Sequence, residues 1–359
     1  MIEPIDKLKV LVVGLGNMGQ SHALAYHANP GFEIVGLVNR SKVELPDALK
    51  PYPFFDDYQK TLDLLKPELV SINTYSDSHA EYAITAMKYG SHVFLEKPIA
   101  TSVEDAERVV EASKQYNRKL VIGYILRHHP SWITLIDEAR KLGPPYVFRL
   151  NLNQQSSGKT WDTHKHLMET MSPIVDCGVH YVDVMSQITD AKPIKVSGMG
   201  VRLSEEISSE MYNYGHFQVV FDDGSVGWYE AGWGPMISET AFFVKDIISP
   251  NGSVSIVVED GVKSDDIDAH TRTSNIRIHH GKTDENGEFC KQDMMMSMED
   301  EPDHQGLCDR EQSFVFKAIR NDIDLERHLS DAVQSLRICM AADESIRSGK
   351  EIIINNFGS

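Results

Sequence analysis

The first continuous apolar run of the chain is Val10-Leu11-Val12-Val13, and such runs then alternate with segments of helical composition. Phe32 to Val38, Leu69 to Asn73, His92 to Leu95 and Leu120 to Tyr124 are likewise short and continuously apolar, as strands buried on both faces are. Between them Gln20 to His27, Tyr58 to Lys66, His79 to Tyr89 and Val103 to Tyr116 read as helices, with Pro67 and Gly90 as stops for two of them. Strand and helix in turn from residue 8 to about 124 predict a doubly wound parallel sheet.

The rhythm changes at Leu126. A helix, Ser131 to Lys141, is closed by Gly143-Pro144-Pro145. Long β-type runs then follow: Tyr146 to Gln154, Ile194 to Arg202, His216 to Phe221, Val226 to Trp233, Phe242 to Ile248 and Ser253 to Val258. Turn signals such as Asp222-Asp223-Gly224 and Pro250-Asn251-Gly252 separate them. Strands without intervening helices predict a mostly antiparallel sheet, interrupted by one helical segment from Pro173 to Ile188. Lys263 to Pro302, polar and rich in Asp and Met, reads as extended connections and loops. Arg310 to Arg320 and Ser330 to Ser348 are closing helices.

Composition narrows the class. A length of 359 residues suits two domains, and 41% hydrophobic content suits a globular core. A net charge of −18 argues against nucleic acid or an anionic membrane surface as partner. Cys177, Cys290, Cys308 and Cys339 have no C-x-x-C spacing and read as free thiols in a reducing compartment. Met1 to Lys9 lacks the apolar core of a secretory signal, and no apolar run approaches membrane-spanning length. The expectation is a cytoplasmic protein.

The first strand runs directly into Gly14-x-Gly16-x-x-Gly19 and then into a helix, the order that a dinucleotide-binding turn needs. Gly14 permits the tight turn, Gly16 lets backbone approach a pyrophosphate, and Gly19 lets helix and strand pack closely. Twenty residues past Gly19, where an NAD-preferring protein carries a carboxylate for the ribose, stand Asn39, Arg40 and Ser41. Asn39 can still bond a ribose, and Arg40 with Ser41 suits a 2′-phosphate, which favours NADP; Arg40 as a solvated loop charge is the plain alternative.

Three further groups carry candidate chemistry. Glu96-Lys97-Pro98 stands at the carboxyl end of a buried strand, where ligands bind in open α/β sheets, so Lys97 is placed to orient a hydroxyl or carbonyl; a structural Glu–Lys pair is the alternative. Arg127-His128-His129-Pro130 leads into the second part of the chain. Asp176 and His180 are four apart, with Asp183 three beyond, so the three share one helix face. A carboxylate beside an imidazole suits a general base, and equally a helix cap beside a hydrogen-bonded histidine. His164 and His166 lie upstream, but the spacing matches no zinc pattern, and no metal is expected.

Taken together, the glycine turn, Thr74 with His79, Glu96-Lys97-Pro98, Arg127-x-x-Pro130 and Asp176-x-Gly178-x-His180 resemble the Gfo/Idh/MocA oxidoreductase family. The resemblance covers nearly the whole chain, including the Pro250-Asn251-Gly252-Ser253 turn and the final helix. It implies an α/β Rossmann domain over residues 1–125. It implies an α+β domain over 126–359 with a large, mostly antiparallel open sheet for substrate binding and oligomerisation. The closing C-terminal helix would pack near the Rossmann domain. It implies NAD(P) as cofactor and oxidation of a ring hydroxyl on a sugar, sugar derivative or cyclitol. Cofactor contacts are then expected from Gly14, Gly16, Asn17, Met18, Gly19, Asn39, Arg40, Ser41, Thr74, His79, Glu96 and Lys97, and catalysis from Lys97, Asp176 and His180. Arg127, Asn153, Gln155, Trp161 and His164 are candidates, with the catalytic three, for holding substrate. Two departures stand out: Thr74-Tyr75-Ser76 lacks the proline common there, and Thr170-Met171-Ser172 replaces small glycine-rich residues. The open sheet face predicts a homo-oligomer, dimer or tetramer. A glycosidase using transient oxidation and a non-catalytic nucleotide-sensing protein are the rival readings.

Overall fold

The apolar runs of the first 125 residues form one parallel sheet, in the order β3-β2-β1-β4-β5-β6. The strands are β1 (Leu8–Val13), β2 (Phe32–Val38), β3 (Phe54–Phe55), β4 (Leu69–Ile72), β5 (His92–Glu96) and β6 (Leu120–Gly123). Every pairing among them is parallel, and β1 lies centrally between β2 and β4. The connecting helices are α1 (Asn17–Ala28), α2 (Tyr58–Leu65), α3 (His79–Lys88) and α4 (Val103–Gln115). The sheet is buried on both faces, which is why its strands read as continuous apolar runs. The computed structural model describes residues 6–238, 244–257, 273–298 and 300–354.

The chain divides into two compact units, one of residues 1–125 and 304–333 and the other of residues 126–303 and 334–359. In the second unit a helix, α5 (Pro130–Leu142), precedes β7 (Val147–Gln155). Three helices follow, α6 (Gly158–Leu167), α7 (Pro173–Asp176) and α8 (Gly178–Ile188). Then come β8 (Pro193–Val201), β9 (Tyr214–Phe221), β10 (Val226–Gly234), β11 (Lys245–Ser249), β12 (Gly252–Val257), β13 (Asn275–His280) and β14 (Met294–Ser297). The long helices α9 (His304–Arg320) and α10 (Glu326–Ser348) close the chain, followed by β15 (Ile352–Ile353). Nine strands make one sheet, ordered β14-β13-β12-β11-β7-β10-β9-β8-β15, antiparallel except for the β7–β10 pair.

The mostly antiparallel sheet agrees with expectation, and three features depart from it. The stretch expected to be loops from Lys263 to Pro302 contributes β13 and β14 at the sheet edge, with residues 263–272 outside the described residues. A second helical insertion, α6, joins the one expected around Pro173, and that one is itself split at Cys177. Of the expected strands near 242–248 and 253–258, residues 242, 243 and 258 lie outside the described residues.

One face of this sheet carries the helices. Tyr229 of β10 stacks on Tyr181 of α8 at 5.0 Å, and Trp233 stacks flat on His164 of α6 at 4.4 Å. Strand alternation then puts Phe148, Leu150, Leu152 and Gln154 of β7 on the helix face. It sends Arg149, Asn151, Asn153 and Gln155 to the other.

Candidate functional site

Within the first unit the glycine turn has the expected shape. Gly14 adopts φ +83°, and a Cβ there would lie 2.6 Å from the Asn73 carbonyl oxygen of β4's end. A Cβ at Gly19 would lie 1.9 Å from the Gly14 carbonyl oxygen, so only glycine lets α1 approach the turn. Nothing lies within 4 Å of where a Gly16 Cβ would be, which leaves backbone facing open space. Gly16 is the N-cap of α1, no side chain caps that end, and its first turn has no acidic residue. Asn17 is exposed and Met18 half-buried in that turn. A helix start with free N–H groups and no local negative charge suits a pyrophosphate.

Asn39, at the end of β2, has a different occupation from the one expected. Its Oδ1 accepts the Leu15 N–H at 3.0 Å and its Nδ2 donates to the Ser41 carbonyl at 2.8 Å. The side chain therefore ties the glycine turn to the β2 end. Arg40 and Ser41 beside it are exposed.

The loop after β4 is closed by Thr74, whose hydroxyl bonds Ser78 at 2.7 Å. His79 is 1% exposed, and its ring nitrogens face the carbonyl oxygens of Pro98, at 2.7 Å, and Thr74, at 2.9 Å. Burial lowers its pKa against the pull of those carbonyls. Glu96 is buried between His22, 2.7 Å away, and the Lys97 N–H, 3.1 Å away. Burial would raise its pKa, but the His22 hydrogen bond and, beside it, the positive charge of Lys97 help bring it below the ordinary value. Neither His79 nor Glu96 is an open surface group; both are buried in the frame around Lys97, which is half-buried.

In the second unit, α7 ends at Asp176 and α8 begins at Gly178, putting Asp176 and His180 on either side of the Cys177 break, both half-buried. Asp183 shares the helix but not the setting. It is fully buried and takes a bidentate pair from Arg127, Nε–Oδ2 2.9 Å and Nη2–Oδ1 2.6 Å, with Gln187 adding a third bond at 3.0 Å. Arg127 is thus engaged by a carboxylate of its own unit.

His164 lies near enough to Asp176 to feel its charge, bonds Ser156 at 3.0 Å and stacks on Trp233; burial nevertheless lowers its pKa to about 4, so the ring is neutral. Gln154 accepts from Trp233 Nε1 at 2.9 Å and faces the Cys177 thiol at 3.9 Å, flanked in the strand by Asn153 and Gln155, the two residues expected to hold substrate hydroxyls. Those two side chains belong to the opposite face, where Asn153 donates to Glu230 at 2.7 Å. Trp161 is buried with its Nε1 donating to Glu206 at 3.2 Å, and His166 pairs at the surface with Glu169. Lys245, not singled out by sequence, is buried with its ammonium 4.5 Å from the Tyr181 ring centroid, and burial lowers its pKa to about 7. Its signal was absent because a lysine in a strand ordinarily marks a solvated face. Among the described residues no group of three His, Cys, Asp or Glu side chains is arranged to hold a metal ion, and no helix is long and apolar enough to cross a membrane.

Known proteins share this organisation. An inositol 2-dehydrogenase of Salmonella paratyphi B is 28% identical over 200 residues, which are 53% of this chain and 57% of that enzyme, so the match spans under two thirds of the relative's length. The WlbA dehydrogenase of Bordetella pertussis, solved in complex with NADH and UDP-GlcNAcA, has a similar fold. Its TM-score is 0.74 at 19% identity, covering 97% of this chain and 99% of that one. The scyllo-inositol dehydrogenase of Lactobacillus casei, solved with NAD(H) and scyllo-inositol, gives a TM-score of 0.73 at 20% identity, covering 97% and 99%. Residues 8–124 match an oxidoreductase family by its NAD-binding Rossmann fold, and residues 135–354 match the C-terminal alpha/beta domain of the same family. The chain belongs to the Gfo/Idh/MocA oxidoreductase family.

Proposed function

We propose that this protein is an NAD(P)-dependent dehydrogenase that oxidises a ring hydroxyl of a sugar, sugar derivative or cyclitol, or reduces the corresponding ketone. The observation that carries the reading is the glycine turn. Gly14 and Gly19 leave no room for a side chain, while Gly16 opens on free space at an uncapped helix start. The dinucleotide, held there by Gly14, Gly16, Asn17, Met18 and Gly19, would supply the hydride acceptor. In the oxidation direction His180 takes the hydroxyl proton as general base. Lys97 donates a hydrogen bond to the same oxygen and stabilises the charge developing on it. Asp176 orients His180 or holds a neighbouring hydroxyl, and His164, neutral on its Trp233 platform, offers a further hydrogen-bonding group to substrate. NADP is preferred, because Asn39 is occupied by the glycine turn and the exposed cation beside it, Arg40, suits a 2′-phosphate.

The protein works as a homo-oligomer in the cytoplasm. Support comes from the sheet face away from the helices, where Val147, Val226, Met199 and Val201 are exposed on neighbouring strands, an apolar face of the kind another subunit covers.

The test is a screen of sugars, sugar nucleotides and inositols with NAD and NADP, following absorbance of the reduced nicotinamide. Turnover of a cyclic polyol or sugar is expected. Products formed from a glycoside with no net change in the nicotinamide would favour transient oxidation, and binding of the dinucleotide without turnover of any sugar or cyclitol would overturn the reading.

A further inference from the structure

We propose that His22 is a positioning residue for Lys97, acting through Glu96, and that His79 secures the same segment from its other end. Lys97 belongs to the first unit, and so do all the groups in this chain of contacts. His22 lies on α1, three residues past Gly19, and is fully buried. Its Nε2 donates to Glu96 Oε1 at 2.7 Å and its Nδ1 accepts from Gln312 Nε2 of α9 at 2.9 Å. Those two bonds require the same tautomer, so the ring is held by a donor on one side and an acceptor on the other. Phe94 packs edge-on against it at 4.7 Å.

Glu96 then has one oxygen left, and Oε2 accepts the backbone N–H of Lys97 at 3.1 Å. The carboxylate sits tightly, because a Cβ on Gly123 of β6 would come within 3.3 Å of it. One residue further on, the Pro98 carbonyl meets His79 at 2.7 Å, and the other nitrogen of that ring meets the Thr74 carbonyl at 2.9 Å. The backbone from Lys97 to Pro98 is therefore bonded through Glu96 to His22 on one side and lies against the buried His79 ring on the other. Neither imidazole needs to touch a substrate to do so. A side chain reaching a reacting oxygen from a backbone fixed in this way keeps its ammonium in place without reorganisation, and a displacement of about 1 Å costs about a hundredfold in rate.

The importance of Lys97 to turnover rests on the function proposed above; the clamp itself does not, and the experiment reads the two separately. His22→Phe keeps an aromatic ring beside Phe94 but removes the donor, whereas His22→Gln keeps an N–H where Nε2 stands. Amide hydrogen exchange of the peptide spanning residues 96–101 is measured for the parent and both variants. His22→Phe is expected to exchange about tenfold faster there, the size of one lost charge-assisted bond, with α4 and β1 unchanged, and His22→Gln is expected to restore protection. Dinucleotide Kd is expected to stay within about threefold. On a substrate that turns over, His22→Phe lowers kcat about ten- to a hundredfold with little change in KM, and adds nothing in a Lys97→Ala background. Unchanged exchange at 96–101 in His22→Phe overturns the clamp whatever the turnover. So does faster exchange spread evenly over the unit, which marks a purely structural histidine. Altered local exchange in a protein that turns over nothing keeps the clamp and refutes the function. Should His22→Phe fail to fold, Glu96→Asp shortens the link by one methylene while keeping the charge, and the same local loss is expected; protection equal to the parent's would overturn the proposal.

Discussion

Arg127 and Asp183, 56 positions apart, form a two-point ion pair of 2.9 and 2.6 Å within the second unit, and Asp183 is fully buried. The geometry makes the pair a fixture of the fold under α8, with Gln187 adding a further bond to the carboxylate. Arg127→Ala removes the bidentate cationic partner of a fully buried carboxylate and is expected to destabilise by about 3–5 kcal/mol, the usual cost of breaking a buried pair. Denaturant unfolding at neutral pH measures it. A loss below about 1 kcal/mol, the range of surface pairs, would show that the pair is not structural.

Asn39 and Arg40 are adjacent yet have separable roles. Asn39→Ala frees the Leu15 N–H from its side-chain acceptor and loosens the glycine turn, so NAD and NADP should weaken by similar factors. Arg40→Ala should weaken NADP alone, by about 1.5–3 kcal/mol, the value of a hydrogen bond to a charged group. Titrating both dinucleotides into parent and variants checks this. Tighter NAD than NADP binding by the parent would refute the preference.

Glu311 of α9 is fully buried, and neither of its oxygens has a hydrogen-bond partner among the described residues. Burial first, and the charge of Glu96 second, push its pKa well above the ordinary carboxylate value. The folded state therefore holds a proton that the unfolded chain releases above its own pKa of about 4.3, and the resulting penalty grows as pH rises from there toward the folded pKa. Glu311→Gln removes the ionisation at almost constant shape. It is expected to stabilise the protein at pH 8, by a melting-temperature rise of roughly 2–4 °C per kcal/mol gained, and to change little near pH 4. Equal shifts at both pH values would contradict the assignment.

What the sequence made legible was local. The glycine turn and the parallel sheet were readable because strand burial and helix spacing repeat within a few residues, as in Val10 to Val13 followed at once by Gly14. Three features were not. Met294 and Met295 of β14 are exposed at a sheet edge, so the strand carries no alternating apolar signal. In α6 only Trp161 and His164 are buried, which gives too thin a stripe to mark a helix. On β7 the facing side chain is Gln154, not Asn153 or Gln155, because a one-residue change of parity reverses the face, and only the pairing of Trp233 with Gln154 fixes it. Contacts such as Asn39 to Leu15 or His22 to Gln312 join residues far apart in sequence, and no spacing rule reaches them.

The apolar face opposite the helices gives a further expectation. Val226 of β10 lies between Val147 and Val220, and all three point away from the helices. A charge there should oppose burial against a second subunit without entering either unit's core. Val226→Asp is expected to lower the mass in light scattering toward that of one chain, 40.4 kDa, with the melting profile of the units retained. A parent protein of monomeric mass at micromolar concentration would remove the oligomer from the proposal.

His180 separates the chemical reading from a structural one. It sits in the first turn of α8, half-buried as a residue with its Nδ1 atom buried, beside the Cys177 break. If it takes the hydroxyl proton, His180→Ala should lower kcat by roughly 10²–10⁴, the share that a positioned general base supplies. Dinucleotide affinity should change little, because the glycine turn that would hold the cofactor belongs to the other unit. Lys97→Ala should be comparably severe, since it removes the donor to the oxygen on which charge develops. A histidine that only supports α8 predicts the reverse: a lower melting temperature and near-normal turnover in the folded fraction. Measuring kcat, dinucleotide Kd and melting temperature on one preparation distinguishes these outcomes. A folded His180→Ala protein turning over within about threefold of the parent would exclude His180 as the base, because that loss lies far below what general-base catalysis contributes.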